Sequence, residues 1–259
     1  MAISARYAGK VALVTAGASG IGLATVRRLA AEGAAVAFCD IAGERGEAMR
    51  RDLAEAGHDA LFVPCDATDE GSVVALIDAV VSRFGRLDVA VNVVGGHAAH
   101  DRPGPPLHEC TLDGWEATVT LCLRSTFLCM KHEIAAMLAS GGGAIANTAS
   151  MAGIRVTPFA SPAYTAAKAG VVHLSEMTAV LYARQNIRVN VVAPGLTGTP
   201  AIANSTSTAM RDAIVAEYHP TGRLIAAEAQ AAAFAWLCSD DAADVTGLTV
   251  PVDGGWAAR

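Results

Sequence analysis

The sequence is short of charge, of aromatic rings and of any long unbroken apolar run, and each shortage removes a class of protein. Charged residues make up 17% of the 259 residues and aromatic ones 5%, against 53% hydrophobic. A chain so apolar and so weakly charged does not stay disordered. At this length a single core can bury roughly 70–75% of the surface that the unfolded chain exposes. With few large rings, small aliphatic side chains must fill that core. Mean hydropathy is +0.37, yet nothing offers the ~20 consecutive apolar residues of a membrane span. The longest uncharged stretches, Ile134–Ile154 and Val189–Met210, are broken by glycine, polar residues and, in the second, proline.

Positive charge is in deficit. There are 19 Lys and Arg against 25 Asp and Glu, a net charge of −6, and the isoelectric point is about 5.6. No basic run supplies the electrostatic footprint for nucleic acid or for an anionic membrane surface. Met1–Tyr7 has no apolar leader core. These absences predict a cytoplasmic protein whose partner is a small molecule. Six cysteines are present, none in C-x-x-C spacing and none clustered with histidine as in a zinc site. The expectation is no metal, and free, mostly buried thiols in a reducing compartment.

What is there is an alternation. Strand-like runs at Lys10–Thr15, Ala35–Asp40, Ala60–Cys65, Val89–Val93, Ala144–Thr148, Arg188–Ala193 and Leu248–Val252 are continuously apolar, as in a parallel sheet covered on both faces. Helical patterns separate them at Ile21–Glu32, Glu44–Ala56, Glu70–Phe84, Leu112–Leu138, Ala163–Gln185 and Ala229–Leu237. This predicts one α/β domain over residues 1–259, a doubly wound parallel sheet of about seven strands with helices on both faces. Pro194–Leu224, rich in Gly, Pro, Thr and Ser, reads as a long irregular insert, and such inserts are commonly functional.

Three local patterns carry chemistry. After the first strand comes T-A-G-A-S-G-I-G, Thr15 to Gly22. Gly17, Gly20 and Gly22 would let a backbone approach a pyrophosphate at a helix N-terminus; a tight structural turn reads the same way. Asp40, 18 residues after Gly22, sits where a carboxylate can accept hydrogen bonds from an adenosine ribose and repel a 2′-phosphate. It can equally be a helix-capping aspartate, and Arg45 nearby softens the discrimination. Tyr164 and Lys168, four apart, share one helix face, and an adjacent ammonium lowers a phenol toward use as an acid/base. Ser150 falls at the carboxyl edge of the sheet, where open α/β proteins bind ligands.

Taken with Asp66, Asn92–Gly95, Pro194–Thr199 and V-D-G-G at Val252–Gly255, these residues resemble the short-chain dehydrogenase/reductases over nearly the whole chain. The resemblance implies a Rossmann-type fold, NAD as cofactor, a small-molecule alcohol or ketone as substrate and a homotetramer built through the two long helices. It implies Ser150, Tyr164 and Lys168 as catalytic residues. It places Gly17, Ser19, Gly20, Ile21, Gly22, Asp40, Asp66, Ala67, Asn92, Tyr164, Lys168, Pro194, Gly195, Thr197 and Thr199 at the cofactor. A pocket of Gly96, His97, Met151, Ala152, Phe159 and Tyr218, under a lid at about 195–224, is mostly apolar and suits a hydrophobic secondary alcohol. C-M-K-H at Cys129–His132, N-T-A-S at Asn147–Ser150 and H-P-T-G-R at His219–Arg223 resemble enzymes of cyclic alcohols and diols.

The pattern is also departed from. Ala16 stands where the family turn has its first glycine, which costs on the order of 1 kcal/mol if φ there is positive. Cys122 occupies the place of a helix asparagine whose main-chain carbonyl serves a proton relay, a role that survives the side-chain change. A 3-oxoacyl thioester reductase, or a nucleotide-binding protein without catalysis, are the alternatives. The first is opposed by Asp40, since such reductases use NADPH, and the second by the intact Ser150, Tyr164 and Lys168.

Overall fold

The computed structural model describes residues 5–259, so of the opening segment Met1–Tyr7 only residues 5–7 fall within it. Seven strands, β1 (Val11–Val14), β2 (Ala35–Asp40), β3 (Ala60–Pro64), β4 (Val89–Asn92), β5 (Gly143–Thr148), β6 (Ile187–Pro194) and β7 (Thr249–Val252), form one parallel sheet. Their order is β3-β2-β1-β4-β5-β6-β7. The chain winds outward from β1 to β3, then returns to the other side of β1 as β4. The reversal opens a crevice beyond the carboxyl ends of β1 and β4, the place where open α/β sheets take ligands.

Alternation along each strand divides the core into two layers. Ala12, Val14, Val36, Phe38, Val89 and Val91 face one side. There they meet α1 (Gly20–Ala31), α2 (Gly43–Glu55) and α10 (Ala227–Cys238) through Val26, Leu29, Met49, Phe234 and Leu237. Val11, Leu13, Ala37, Cys39, Ala90 and Ile145 face the other side, against α3 (Glu70–Phe84), α5 (Ser125–Ser140) and α7 (Pro162–Tyr182). Small side chains do what the composition required. Ala24 of α1 meets Ala227 and Ala231 of α10, all buried, so the two helices lie close together.

Two expectations are corrected. The helix expected over Leu112–Leu138 is interrupted: α4 (Leu112–Val119) runs into a π-helical turn at Thr120–Arg124 before α5 begins. Ser125 N–H donates to the Thr120 carbonyl, five residues back, and this wider turn slips one extra residue into the helix. The segment read as irregular carries two helices, a short α8 (Pro200–Ser205) and α9 (Thr208–Tyr218), each started by a hydroxyl cap, Thr199 or Ser207. A further four-residue helix, α6 (Met151–Ile154), follows β5. All six cysteines are free, and all but the half-buried Cys110 are buried. Among the described residues no helix is long and apolar enough to cross a membrane.

Candidate active site

The glycine-rich turn joins β1 to α1 and is fixed from both sides. Gly17 N–H donates to the Cys39 carbonyl at 2.8 Å. Thr15 Oγ1 accepts from Val93 N–H at 2.9 Å. A Cβ on Gly22 would stand 2.0 Å from the Ala16 carbonyl oxygen, and one on Gly17 would stand 2.7 Å from the Phe38 Cβ. Ala16 itself has φ of +50°, the left-handed region that alanine disfavours, so the departure at this position carries strain. Ser19 stands at the helix start without a side-chain capping bond, and no acidic residue lies in the first turn of α1. The N–H groups there stay open, and the positive end of the helix is not neutralised. A crowded turn below an uncapped helix start fits the pyrophosphate of a dinucleotide. Ile21 is half-buried against the core.

Asp40 closes β2 and is 8% exposed. Its Oδ2 accepts from Ala18 N–H at 3.1 Å and its Oδ1 from Ala42 N–H at 3.0 Å. Arg45 stands 3.8 Å from Oδ1. The carboxylate therefore braces the glycine turn as well as facing the crevice end of the strand. Asp66, exposed beyond β3, folds its Oδ1 back onto Thr68 N–H at 2.9 Å and Thr68 Oγ1 at 2.7 Å, with Ala67 buried beside it.

Two cofactor assignments need correction at the side-chain level. Asn92 points away from the crevice. It is 3% exposed, and its Nδ2 donates to Glu133 Oε2 at 2.9 Å and to Asn147 Oδ1 at 3.0 Å. Thr197 is 4% exposed and turned inward. Its hydroxyl donates to the Gly195 carbonyl at 3.0 Å and accepts from Gln230 Nε2 at 3.1 Å. Of these two side chains only Asn92 Oδ1 is left without a partner among the described residues, and it is buried. Pro194 ends β6. A Cβ on Gly195 would meet Asp253 Cα at 2.8 Å and His219 Nε2 at 3.0 Å. Thr199 caps α8, and its Cγ2 lies where a Cβ on Gly20 would come within 3.2 Å. The loop after β6 thus leans on the glycine turn.

The acid/base helix starts by rule. Ser161 caps α7, its Oγ accepting from Tyr164 N–H at 3.0 Å, and Pro162 opens the helix. That start sets Tyr164 in the first turn and Lys168 one turn on. Lys168 is 2% exposed, with Nζ donating to the Thr148 carbonyl at 2.8 Å. Its Nζ lies 5.8 Å from the centre of the Tyr164 ring. Burial pushes the Tyr164 phenol well above its usual value; Cys122 adds to this, and only the Ser150 hydroxyl pulls it down. Burial likewise lowers Lys168. The expectation that the ammonium sets the phenol low is therefore corrected: Nζ is turned to the Thr148 carbonyl, and desolvation prevails. Ser150 caps α6, accepting from Ala152 N–H at 3.2 Å.

Cys122 sits in the π turn, fully buried beside this group. Its thiol donates to the Gly96 carbonyl at 3.3 Å and accepts from Gly96 N–H at 3.4 Å. Its own carbonyl accepts from Thr126 Oγ1 at 2.8 Å. The side chain thus ties the loop after β4 to the π turn. The carbonyl expected to serve a relay already accepts from the Thr126 hydroxyl.

Of the pocket residues, Met151, Phe159 and Tyr218 come together with Ile154, Leu196, Ile214 and Trp256 in one apolar cluster. Phe159 meets Tyr218 edge-on at 5.4 Å, and Tyr218 meets Trp256 at 4.6 Å. Met151 and Ala152 are buried. His97 is outside this cluster, stacked on Tyr164 at 4.7 Å. Among the described residues no three His, Cys, Asp or Glu side chains group as metal ligands.

Several functional neighbours escaped the sequence reading. His219 accepts from Leu196 N–H at 3.2 Å on Nε2 and meets the Arg223 carbonyl at 2.9 Å on Nδ1, so it clamps the loop after β6 to the turn that follows α9. Ser161 before proline was a visible capping signal. Glu133, in K-H-E-I, carries no sequence signal that would set it apart from a surface charge, yet it is fully buried.

A family model described as enoyl-(acyl carrier protein) reductase matches residues 15–257. The chain is 44% identical to a cis-4-hydroxycyclohexanecarboxylate dehydrogenase of Sinomonas cyclohexanicum over 252 residues, 97% of this chain and 98% of that one. It is 40% identical to a 2,5-dichloro-2,5-cyclohexadiene-1,4-diol dehydrogenase of Sphingobium indicum, covering 96% and 98%. The crystal structure of levodione reductase superposes with a TM-score of 0.90 at 35% identity, covering 98% and 99%.

Proposed function

The chain belongs to the short-chain dehydrogenase/reductase family and is an oxidoreductase of hydrophobic secondary alcohols, and on that premise we propose that it moves hydride between NAD and a ring-borne hydroxyl or ketone. One observation carries the reading. Tyr164 and Lys168 stand on successive turns of α7 beside Ser150, at the edge of an apolar and aromatic cluster. The cluster gives a saturated or unsaturated ring an apolar face to lie on and excludes water from the hydroxyl.

In this proposal Ser150 and Tyr164 hydrogen-bond the reacting oxygen. Tyr164 donates its proton in the reductive direction and receives one in the oxidative direction. Lys168 carries positive charge beneath the phenol and orients the nicotinamide ribose. Asp40 receives the adenosine ribose hydroxyls and repels a 2′-phosphate, which supports NAD over NADP. The main chain from Pro194 to Thr199 and the start of α1 hold the remainder of the dinucleotide. When bound, nicotinamide supplies the hydride donor or acceptor and, oxidised, a positive charge that favours the phenolate. The segment 195–224, hinged on the His219 clamp, closes over substrate. The exposed apolar side chains Phe127, Leu138, Met177, Val180 and Leu181 on α5 and α7 support assembly into a homotetramer.

The relatives named for cyclic alcohols and diols set aside a protein without catalysis. The acyl-thioester reading keeps one observation, the description attached to the family model. The experiment is nicotinamide reduction over linear, cyclic and carboxylated cyclic secondary alcohols with NAD and with NADP, using Tyr164→Phe as the control. Turnover of cyclic alcohols with NAD, lost in the variant, is expected. Activity confined to NADPH and 3-oxoacyl thioesters would replace this reading with the alternative, and turnover by Tyr164→Phe would sink the acid/base assignment.

A further inference from the structure

The loop after β4 carries a cluster that the acid/base chemistry above leaves unused. The imidazole of His97 lies 4.7 Å from the Tyr164 ring, centre to centre, with 23° between the planes. Its Nε2 accepts from the backbone N–H of Ser161 at 3.3 Å. Ser161 is itself pinned. Its Oγ donates to Asp101 Oδ2 at 2.6 Å and caps Tyr164. The same Asp101 oxygen accepts from Thr118 Oγ1 at 2.7 Å, and Thr118 Oγ1 accepts from Ala98 N–H at 3.0 Å. His97, Ala98 and Asp101 therefore tie one loop to α4 and to the first turn of α7. One face of the Tyr164 ring is gripped by an imidazole whose own place is set by backbone.

The bond at Nε2 has a further meaning. An accepting Nε2 places the ring proton on Nδ1. An imidazolium has N–H at both nitrogens, and the Ser161 N–H would then face a second donor. Ser161 has no room to turn, since Asp101 and the helix cap hold its side chain. The titratable groups around the ring are Asp101 on its own loop, Tyr164 and Lys168 on α7, and Cys122 in the π turn below Gly96. His97 is exposed at its outer edge; desolvation of the ring favours the neutral form, and Asp101 opposes it.

We infer that His97 is a positioning residue for the reaction: its neutral imidazole, clamped to Ser161 and stacked on Tyr164, holds the phenol toward Ser150, and a proton on the imidazole releases the clamp. The inference rests on the reading of Tyr164 as the acid/base. Because His97 acts through Tyr164, its loss falls on kcat and leaves cofactor KM unchanged.

Two variants separate the parts. His97→Gln keeps an acceptor at about the reach of Nε2 that no proton blocks. His97→Phe keeps a ring and loses the acceptor. The phenylalanine variant is expected to lower kcat about tenfold to a hundredfold with an unchanged cofactor KM. The glutamine variant is expected to recover most of that loss and to lack the acid-side fall in kcat expected of the wild type below the ordinary imidazole value of 6.5. Nitrogen NMR of the full-length protein, assigned against the glutamine variant, reads Nε2 as proton-free at neutral pH and shows the Tyr164 ring resonances moving as His97 titrates. A proton on Nε2 at neutral pH, Tyr164 resonances indifferent to that titration, or a phenylalanine variant with wild-type kcat and acid limb overturns the inference. The spectra need no substrate, so failure of the proposed alcohol chemistry and failure of the His97 role give different results.

Discussion

Glu133 offers the sharpest test of the energetics. It is fully buried in α5, where its Oε2 accepts from Asn92 Nδ2 and its Oε1 has no partner among the described residues. Burial pushes its carboxyl from 4.5 up to about 7, and the Asn92 bond opposes only part of that. Since the folded value is raised, the unfolded chain gives up this proton first as pH rises. Stability is full below about 4.5, falls as pH climbs toward about 7, and levels off at a constant penalty above it. The whole gap is worth about 3 kcal/mol, of which roughly 2 to 3 kcal/mol falls between pH 5 and pH 8. Glu133→Gln keeps the shape and an acceptor for Asn92 and removes the ionisation. Urea unfolding of both proteins at the two pH values is the assay. The variant should gain roughly 2 to 3 kcal/mol on the wild type in moving from pH 5 to pH 8, or on the order of 4–12 °C in melting temperature for a chain of this size. An offset between the two proteins that is the same at both pH values would refute the reasoning, because it would mean that Glu133 titrates alike in the folded and unfolded chains.

Three further outcomes follow from single positions. Ala16→Gly relieves a left-handed alanine and should stabilise the protein by about 1 kcal/mol; a loss in denaturant unfolding would mean that the turn is not strained there. Gly95→Ala puts a Cβ 2.6 Å from the buried Lys168 Nζ at a position whose φ of +156° also strains alanine, so turnover should fall about tenfold or more and melting temperature should fall with it. Wild-type turnover and melting temperature in the variant would show that the loop after β4 has room to move away from Lys168. Asp40→Ala removes both the brace on Ala18 and the charge facing a 2′-phosphate, leaving Arg45 free. The ratio of kcat/KM for NADP over NAD should rise at least about tenfold, ~1.4 kcal/mol, and an unchanged ratio would remove Asp40 from cofactor choice.

The sequence by itself determined the frame. Continuously apolar strand runs and helices with turn-spaced apolar faces appear directly in the order of residues, and seven such runs sufficed for the sheet. Tyr164 and Lys168 were legible because four residues apart means one face of a helix, and a Ser-Pro start fixes where that helix begins. Tertiary structure decided everything that depends on which neighbour lies across a gap. Asn92 and Thr197 matched a cofactor pattern by position, yet their side chains turned inward because Glu133, Asn147 and Gln230, 33 to 55 residues away in sequence, offered them partners. The sign of φ at Ala16, the π turn at Cys122 and the desolvation of the Tyr164 phenol were likewise undecidable from spacing. Periodicity is a local property of a chain, whereas desolvation and hydrogen-bond pairing are set by atoms that only folding brings together, and these fix the protonation state on which the chemistry runs.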